Sequence, residues 1–231
     1  IAQGNYEQAM ASAQEGIAAD STNPIHYFLA GDAAVGLGDY VLADSMWRVA
    51  ERIYPAYELD IEPSREAAWA NAFNEGVDAY NSGDMQGAAA AWRNADLIYR
   101  FRPEAAQNLA IVLTQLGQYD EAVAVYQRGL ESIDLKPATR VMDEAELAER
   151  EETRATMESE LARLYVYLDR FAEAESLLRG IVQRDPNNVE AQANLATALV
   201  RLNRQDEATQ IYSRLLSAPN LEIVDLLSIG L

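Results

Sequence analysis

His26 is the single histidine in the 231 residues, and the chain has no cysteine. Thiol catalysis, disulfides and cysteine-based zinc sites are therefore excluded. One histidine builds neither a histidine-based metal site nor, here, a recognisable nucleophile–base pair, so His26 reads as a surface or capping residue at a helix start. The run Gly31-Asp32-Ala33-Ala34-Val35-Gly36-Leu37-Gly38 superficially resembles a phosphate loop. It lacks the Lys-Ser/Thr ending and falls within and just after a helix, where phosphate loops follow a strand. Asp185-Pro186-Asn187-Asn188 resembles a calcium loop in composition only, without the spaced acidic ligands. Carboxylates abound, and a chance pair of them carries no weight without a pocket. The expectation is a non-catalytic protein with no cofactor and no metal.

The chemistry that remains is recognition. Asn74, Asn108 and Asn194 occupy one recurring slot, two residues before a small residue (Gly76, Ala110, Ala196). An amide donates and accepts at once, so it can pair with the backbone of an extended polypeptide without reading its sequence. Trp69, Phe73, Val77 and Tyr80 follow at i, i+4, i+8 and i+11, which puts them on one helix face with Asn74 and Asn81 beside them. Phe28 precedes this set. Gln107, Asn108 and Ile111 follow it, and Arg163, Tyr167, Asn194 and Arg201 come further along.

The elements that carry these residues repeat. Gly4-Asn5-Tyr6-Glu7-Gln8-Ala9 returns as Gly38-Asp39-Tyr40-Val41-Leu42-Ala43, Gly83-Asp84-Met85-Gln86-Gly87-Ala88 and Gly117-Gln118-Tyr119-Asp120-Glu121-Ala122. Two degenerate copies begin at Asp169 and Asn203 and end at Ala174 and Ala208. The spacings are 34, 45, 34, 52 and 34 residues. The glycine, or the Asp or Asn replacing it, suits a left-handed helix end. The invariant alanine lets two helices approach closely. Four residues later stand Trp47, Trp92, Tyr126, Leu178 and Tyr212, expected to fill the space between neighbouring repeats, whereas the first copy has only Ala13.

Tyr27 and Gly31, and Leu109-Ala110, Leu161-Ala162 and Leu195-Ala196, fill the first-helix slots of the same motif. Pro55 and Pro186 sit where one unit breaks from the next. The chain thus resembles the tetratricopeptide repeat family over nearly its whole length, since a period of 34 marks that repeat. The resemblance implies an all-α fold, a right-handed superhelical solenoid of helix-turn-helix repeats with two insertions. Its repeats are expected at 24–57, 69–102, 103–136, 155–188 and 189–222, with a half repeat at 1–23 and a partial one at 223–231. It also implies that the first helices line a concave groove where a partner segment binds, with the residues above as its lining. The basic clamp that some members use for a terminal carboxylate is not expected, because the aromatic units offer no groove Lys or Arg.

The insertions are residues 58–68 and 137–154. In the first, Pro63-Ser64 reads as a helix start with Ser64 as N-cap, and the helix runs through Tyr80. In the second, the charge-dense stretch from Asp143 carries Glu146–Arg150 and Glu151–Arg154 spacings that support a solvated helix. One long helix to about Asp169, projecting from the solenoid, is expected, either as a solvated extension or as a docking arm for a basic partner.

The formal charge of −19 weighs against nucleic acid and anionic lipid and favours either simple solubility or a basic partner surface. No apolar run is long enough to insert in a membrane. The missing cysteine fixes no compartment, and with the start at Ile1 it leans towards an extracytoplasmic location. The C-terminal Leu226, Leu227, Ile229 and Leu231 are apolar and need cover. Three explanations stand: a cut within a longer solenoid, an end that folds back or meets a partner, or head-to-tail packing on further copies of the chain. The expected partner is another polypeptide, as an extended segment or a basic surface, or the chain itself. An enzyme whose catalytic part lies outside this stretch is the third class.

Overall fold

The computed structural model describes residues 5–137 and 140–217. Among them are eleven α-helices and no strand: α1 (Tyr6–Ala19), α2 (Pro24–Gly36), α3 (Tyr40–Ile53), α4 (Glu58–Asn81), α5 (Met85–Ile98), α6 (Glu104–Gln115), α7 (Tyr119–Ser132), α8 (Glu144–Tyr167), α9 (Phe171–Arg184), α10 (Val189–Arg201) and α11 (Gln205–Leu216). A single 3-10 turn, Pro55–Tyr57, joins α3 to α4. The chain divides into two compact units, residues 1–148 and 149–231, with the boundary inside α8. The proposed end-to-end residues Leu226, Leu227, Ile229 and Leu231 lie outside the described residues, as does the partial repeat 223–231.

The recurring phrase makes each turn for a local reason. Gly38, Gly83 and Gly117 have φ of 77°, 85° and 73°, and Asp169 and Asn203 take the same left-handed conformation at 57° and 61°. In each of these five copies the following residue donates its N–H to the carbonyl five positions back. These bonds are Asp39 to Ala34, Asp84 to Ala79, Gln118 to Leu113, Arg170 to Tyr165 and Arg204 to Leu199, all at 2.8–2.9 Å. That closes the preceding helix as a Schellman motif. Asp39 and Asp84 then cap the next helix by accepting from Leu42 N and Gly87 N at 2.9 and 2.8 Å. Asn23 and Asn188 cap α2 and α10.

Ala43, Ala88, Ala122, Ala174 and Ala208 are buried, whereas Ala9 of the first phrase is half-buried; Trp47, Trp92, Tyr126 and Leu178, four residues on, are buried too. The tryptophans do more than fill space between neighbours. Each closes its own hairpin: a Cβ on Gly31 would lie 2.3 Å from Trp47, and one on Gly76 would lie 2.4 Å from Trp92. The indole N–H groups donate to the Phe28 and Phe73 carbonyls at 3.3 and 3.1 Å. Large and small residues are thus matched across each hairpin. Trp stands opposite Gly, whereas Tyr126, Leu178 and Tyr212 stand at the same spacing from Ala110, Ala162 and Ala196.

Two local expectations are corrected. α4 begins at Glu58, so Ser64 is inside the helix and caps nothing, and Pro63 is also interior. Proline there leaves the carbonyl four residues back, at Leu59, without its helical donor, but Leu59 is exposed and water can serve it. The turn ahead of the proline is held by burial of Ile61 and of Glu62, which accepts from the Tyr99 hydroxyl at 2.9 Å. The second correction concerns α8. It is one long helix as expected, but not a wholly solvated projection: Arg150, Thr153, Met157, Leu161 and Leu164 form a buried stripe at helical spacing. At its start Asp143 accepts from Glu146 N at 2.9 Å, and Arg140 makes a two-pronged pair with the Glu146 carboxylate.

Candidate functional site

In the first unit, α2, α4 and α6 are the first helices of successive hairpins and carry equivalent slots in register with Gly31, Gly76 and Ala110. The slot two residues before the small residue holds Leu29, Asn74 and Asn108. The slot one residue after holds Asp32, Val77 and Ile111. Asn74 and Asn81 are exposed, and Gln107, Asn108, Val77 and Ile111 are half-buried. No side-chain hydrogen bond within the described residues engages Asn74 or Asn108. Their amides therefore have donors and acceptors to offer a ligand.

The aromatic residues are placed differently from the amides. Trp69 and Phe73 stack at 4.7 Å and 18°, and Phe73 and Tyr80 both lie against Trp92, at 6.4 and 5.8 Å. Phe28 packs on Tyr57 at 5.9 Å. Phe28, Trp69 and Phe73 are half-buried against the core, so they serve folding as well as any ligand. Tyr80 is the more open of the set. The Arg102 guanidinium lies 5.5 Å above the Trp69 ring and pairs with Glu66 at 2.7 Å.

The remaining predicted residues belong to the second unit. Tyr167 is 67% exposed on α8, and Asn194 is half-buried on α10 near Ser159, Leu178 and Ile181. The two arginines already have partners: Arg163 pairs with Glu160 and, at 3.7 Å, with Glu190. Arg201 pairs with Asp169 at 3.1 Å and covers the Phe171 ring at 4.7 Å. A ligand would have to compete for both.

Sequence reasoning missed three residues of α2. Ile25 and Leu29 are each 42% exposed, large for aliphatic side chains, and Asp32 lies on the same helical stripe. The signal was present, since they fill the slots that Ala70, Asn74 and Val77 fill on α4. Desolvation holds the Asp32 carboxyl above its ordinary range, with the nearby Ser64 and Trp47 side chains acting in the opposite direction. Neither brings a donor to its Oδ1 in hydrogen-bonding geometry, and that atom is buried without a partner.

Between α3, the start of α4 and the end of α5 lies a cavity of about 240 Å³, lined by Asp44, Glu51, Glu62, Arg65 and Tyr99 among others. Its charges serve each other. Arg65 donates to Asp44 at 2.6 Å, to the Ile98 carbonyl at 3.1 Å and to Glu51 at 3.3 Å, and Arg48 adds a second bond to Asp44 at 2.7 Å. The His26 ring packs against Gly16, whose added Cβ would meet it at 2.3 Å, so the one imidazole fills space between α1 and α2. Among the described residues no cluster of three or more His, Cys, Asp or Glu could hold a metal, and no helix is long and apolar enough to cross a membrane.

Two tetratricopeptide repeat family models match the chain, over residues 105–141 and 165–222. No curated protein sequence matches it. Among solved structures, yeast Tom70 aligns with 96% of the chain at 18% identity and a TM-score of 0.52, and the chain spans 41% of the Tom70 chain. YrrB, a TPR protein with an unusual peptide-binding site, aligns with 96% of the chain and 100% of its own, at 14% identity and a TM-score of 0.51. MamA from AMB-1 aligns over 88% of this chain and 96% of its own, at 17% identity and a TM-score of 0.52. At these identities the likeness is one of fold.

Proposed function

Because the chain is a tetratricopeptide repeat protein, we propose that it is a non-catalytic binding module that holds an extended polypeptide segment along α2, α4 and α6. The observation that carries this reading is the pair Asn74 and Asn108. They fill the same slot on successive first helices, where neither side chain has a hydrogen-bond partner within the described residues. Two amides in one row can each donate to and accept from an extended backbone. Exposed Ile25, Leu29 and Tyr80 flank the row and supply apolar area for the segment's side chains. YrrB shows that a peptide site can be built on this fold.

The test uses a library of capped nine-residue peptides displayed against the immobilised protein. Losing both amides in the double variant Asn74→Ala, Asn108→Ala should weaken retained peptides by about 2–3 kcal/mol, or roughly 30- to 150-fold, at about 1–1.5 kcal/mol per lost amide. Its unfolding midpoint should be unchanged, because Asn74 is exposed and Asn108 half-buried. Equal capture by the wild type and the double variant refutes the groove reading. Phe73→Ala is the poorer probe, since the stacked, half-buried ring also supports the fold.

A further inference from the structure

We infer that Asp32 is a specificity-determining residue of this groove: its carboxylate takes a Lys or Arg side chain of the bound segment, whose neighbouring residues are apolar. The inference rests on the groove reading above and adds the chemistry of the occupant. Its first support is charge. α2 and α6 contain no Lys or Arg. The only arginine of α4, Arg65, is engaged by Asp44, Glu51 and the Ile98 carbonyl. The same three helices carry Asp32, Glu58, Asp60, Glu75, Asp78 and Glu104, besides Glu66, which pairs with Arg102, and the buried Glu62, which accepts from Tyr99. A cation approaching this layer of first helices is attracted and an anion repelled, which sets the sign of the partner.

The second support is geometric. Asp32 stands in the slot that Val77 and Ile111 fill on the neighbouring first helices, where an apolar side chain is the local rule. A carboxylate there is costly unless something pairs with it. Its Oδ1 is buried and receives no hydrogen bond. An unsatisfied acceptor of this kind is uncommon in native proteins and calls for an explanation. Asp32 as a residue is only half-buried, so a guanidinium or ammonium group from a ligand can meet its carboxylate from the open side and supply a counter-charge, and a charge-assisted bond in a partly desolvated site is stronger than one in water. The apolar half of the specificity comes from the same helix. Leu29 and Ile25 lie three and seven residues before Asp32, on its stripe, and each is 42% exposed. A segment with a basic residue beside aliphatic ones fits this surface. One ending in clustered carboxylates does not.

The experiment is a positional scan of the capped nonapeptide library on three proteins: wild type, Asp32→Asn, and Asn74→Ala with Asn108→Ala. Wild type should enrich Lys or Arg at one position by about 10- to 100-fold over the neutral, similarly shaped norleucine, the size expected of one charge-assisted contact. Asp32→Asn keeps the side-chain shape and should erase that enrichment while leaving the apolar preferences in place. The Lys-to-norleucine comparison reads the same contact on unaltered protein, so a misfolded variant cannot decide the result. Enrichment that persists in Asp32→Asn, or no basic enrichment at all, overturns the assignment of Asp32. Capture indifferent to the asparagine pair, or absent for every peptide, overturns the groove reading instead and this inference with it. Loss of capture in the asparagine variant alongside indifference to Asp32→Asn leaves the groove standing and removes only Asp32.

Discussion

Gly76→Ala tests whether the large-against-small matching across each hairpin governs packing. The added Cβ would sit 2.4 Å from the Trp92 indole nitrogen and 2.5 Å from its Cδ1. Carbon and nitrogen do not approach so closely, and Trp92 is buried on all sides, so its ring cannot simply swing away. Overpacking of this kind costs about 1–3 kcal/mol. Displacing the ring also loses the indole bond to the Phe73 carbonyl at 3.1 Å, worth about 1 kcal/mol. Alanine's higher helix propensity offsets about 1 kcal/mol. The net loss is about 1–3 kcal/mol, or a fall in Tm of about 2–4 °C per kcal/mol for a chain of this size. The decisive step is the second change. Trp92→Leu alone should cost about 2–4 kcal/mol through the cavity it leaves. Combined with Gly76→Ala it recreates the Ala162–Leu178 pair of the second unit, so the double variant should be more stable than the sum predicts by about 1–3 kcal/mol. Urea unfolding followed by circular dichroism at 222 nm measures all three variants. Additivity within about 0.5 kcal/mol would refute the matching argument.

Arg65→Met should destabilise by about 3 kcal/mol, because it leaves the largely buried Asp44 without one of its two guanidinium partners; the double variant Asp44→Asn, Arg65→Met should recover part of that loss, as urea titration would show. Burial and the adjacent Glu62 push the Tyr99 phenol above its ordinary range, so the folded protein keeps that proton where the unfolded chain has begun to lose it. Stability should therefore be intact below about pH 10 and fall as pH rises beyond it, with Tyr99→Phe flattening that alkaline limb in a pH series of unfolding midpoints. Gly83→Ala should cost about 1 kcal/mol from backbone strain alone, since its Cβ would meet nothing within 4 Å, whereas Asn203→Gly, at φ 61°, should gain up to about 1 kcal/mol; thermal melts with the opposite order would contradict the turn assignment.

What the sequence determined by itself is the all-α repeat architecture, and the reason is that its signals are local. A left-handed residue, the N–H that follows it and the carbonyl that receives the bond lie within six residues of one another, so a phrase such as Gly83-Asp84 specifies its own turn wherever the chain places it. The helical slot of Asn74 and Asn108 was legible for the same reason. The start of α4 was not. Pro63 and Ser64 read locally as a boundary, and only the burial of Ile61 and the bond between Glu62 and Tyr99, 37 residues apart, carry the helix past them. The arginines were equally opaque. Arg65 finds Asp44, Glu51 and Ile98 at separations of 21, 14 and 33 residues, and Arg201 finds Asp169 at 32. Asp32 looked like part of a discarded glycine-rich run. Its buried, unpaired oxygen exists only once α2, Trp47 of α3 and Ser64 of α4 are brought around it, because desolvation is a property of the surroundings in space and leaves no trace in the order of residues.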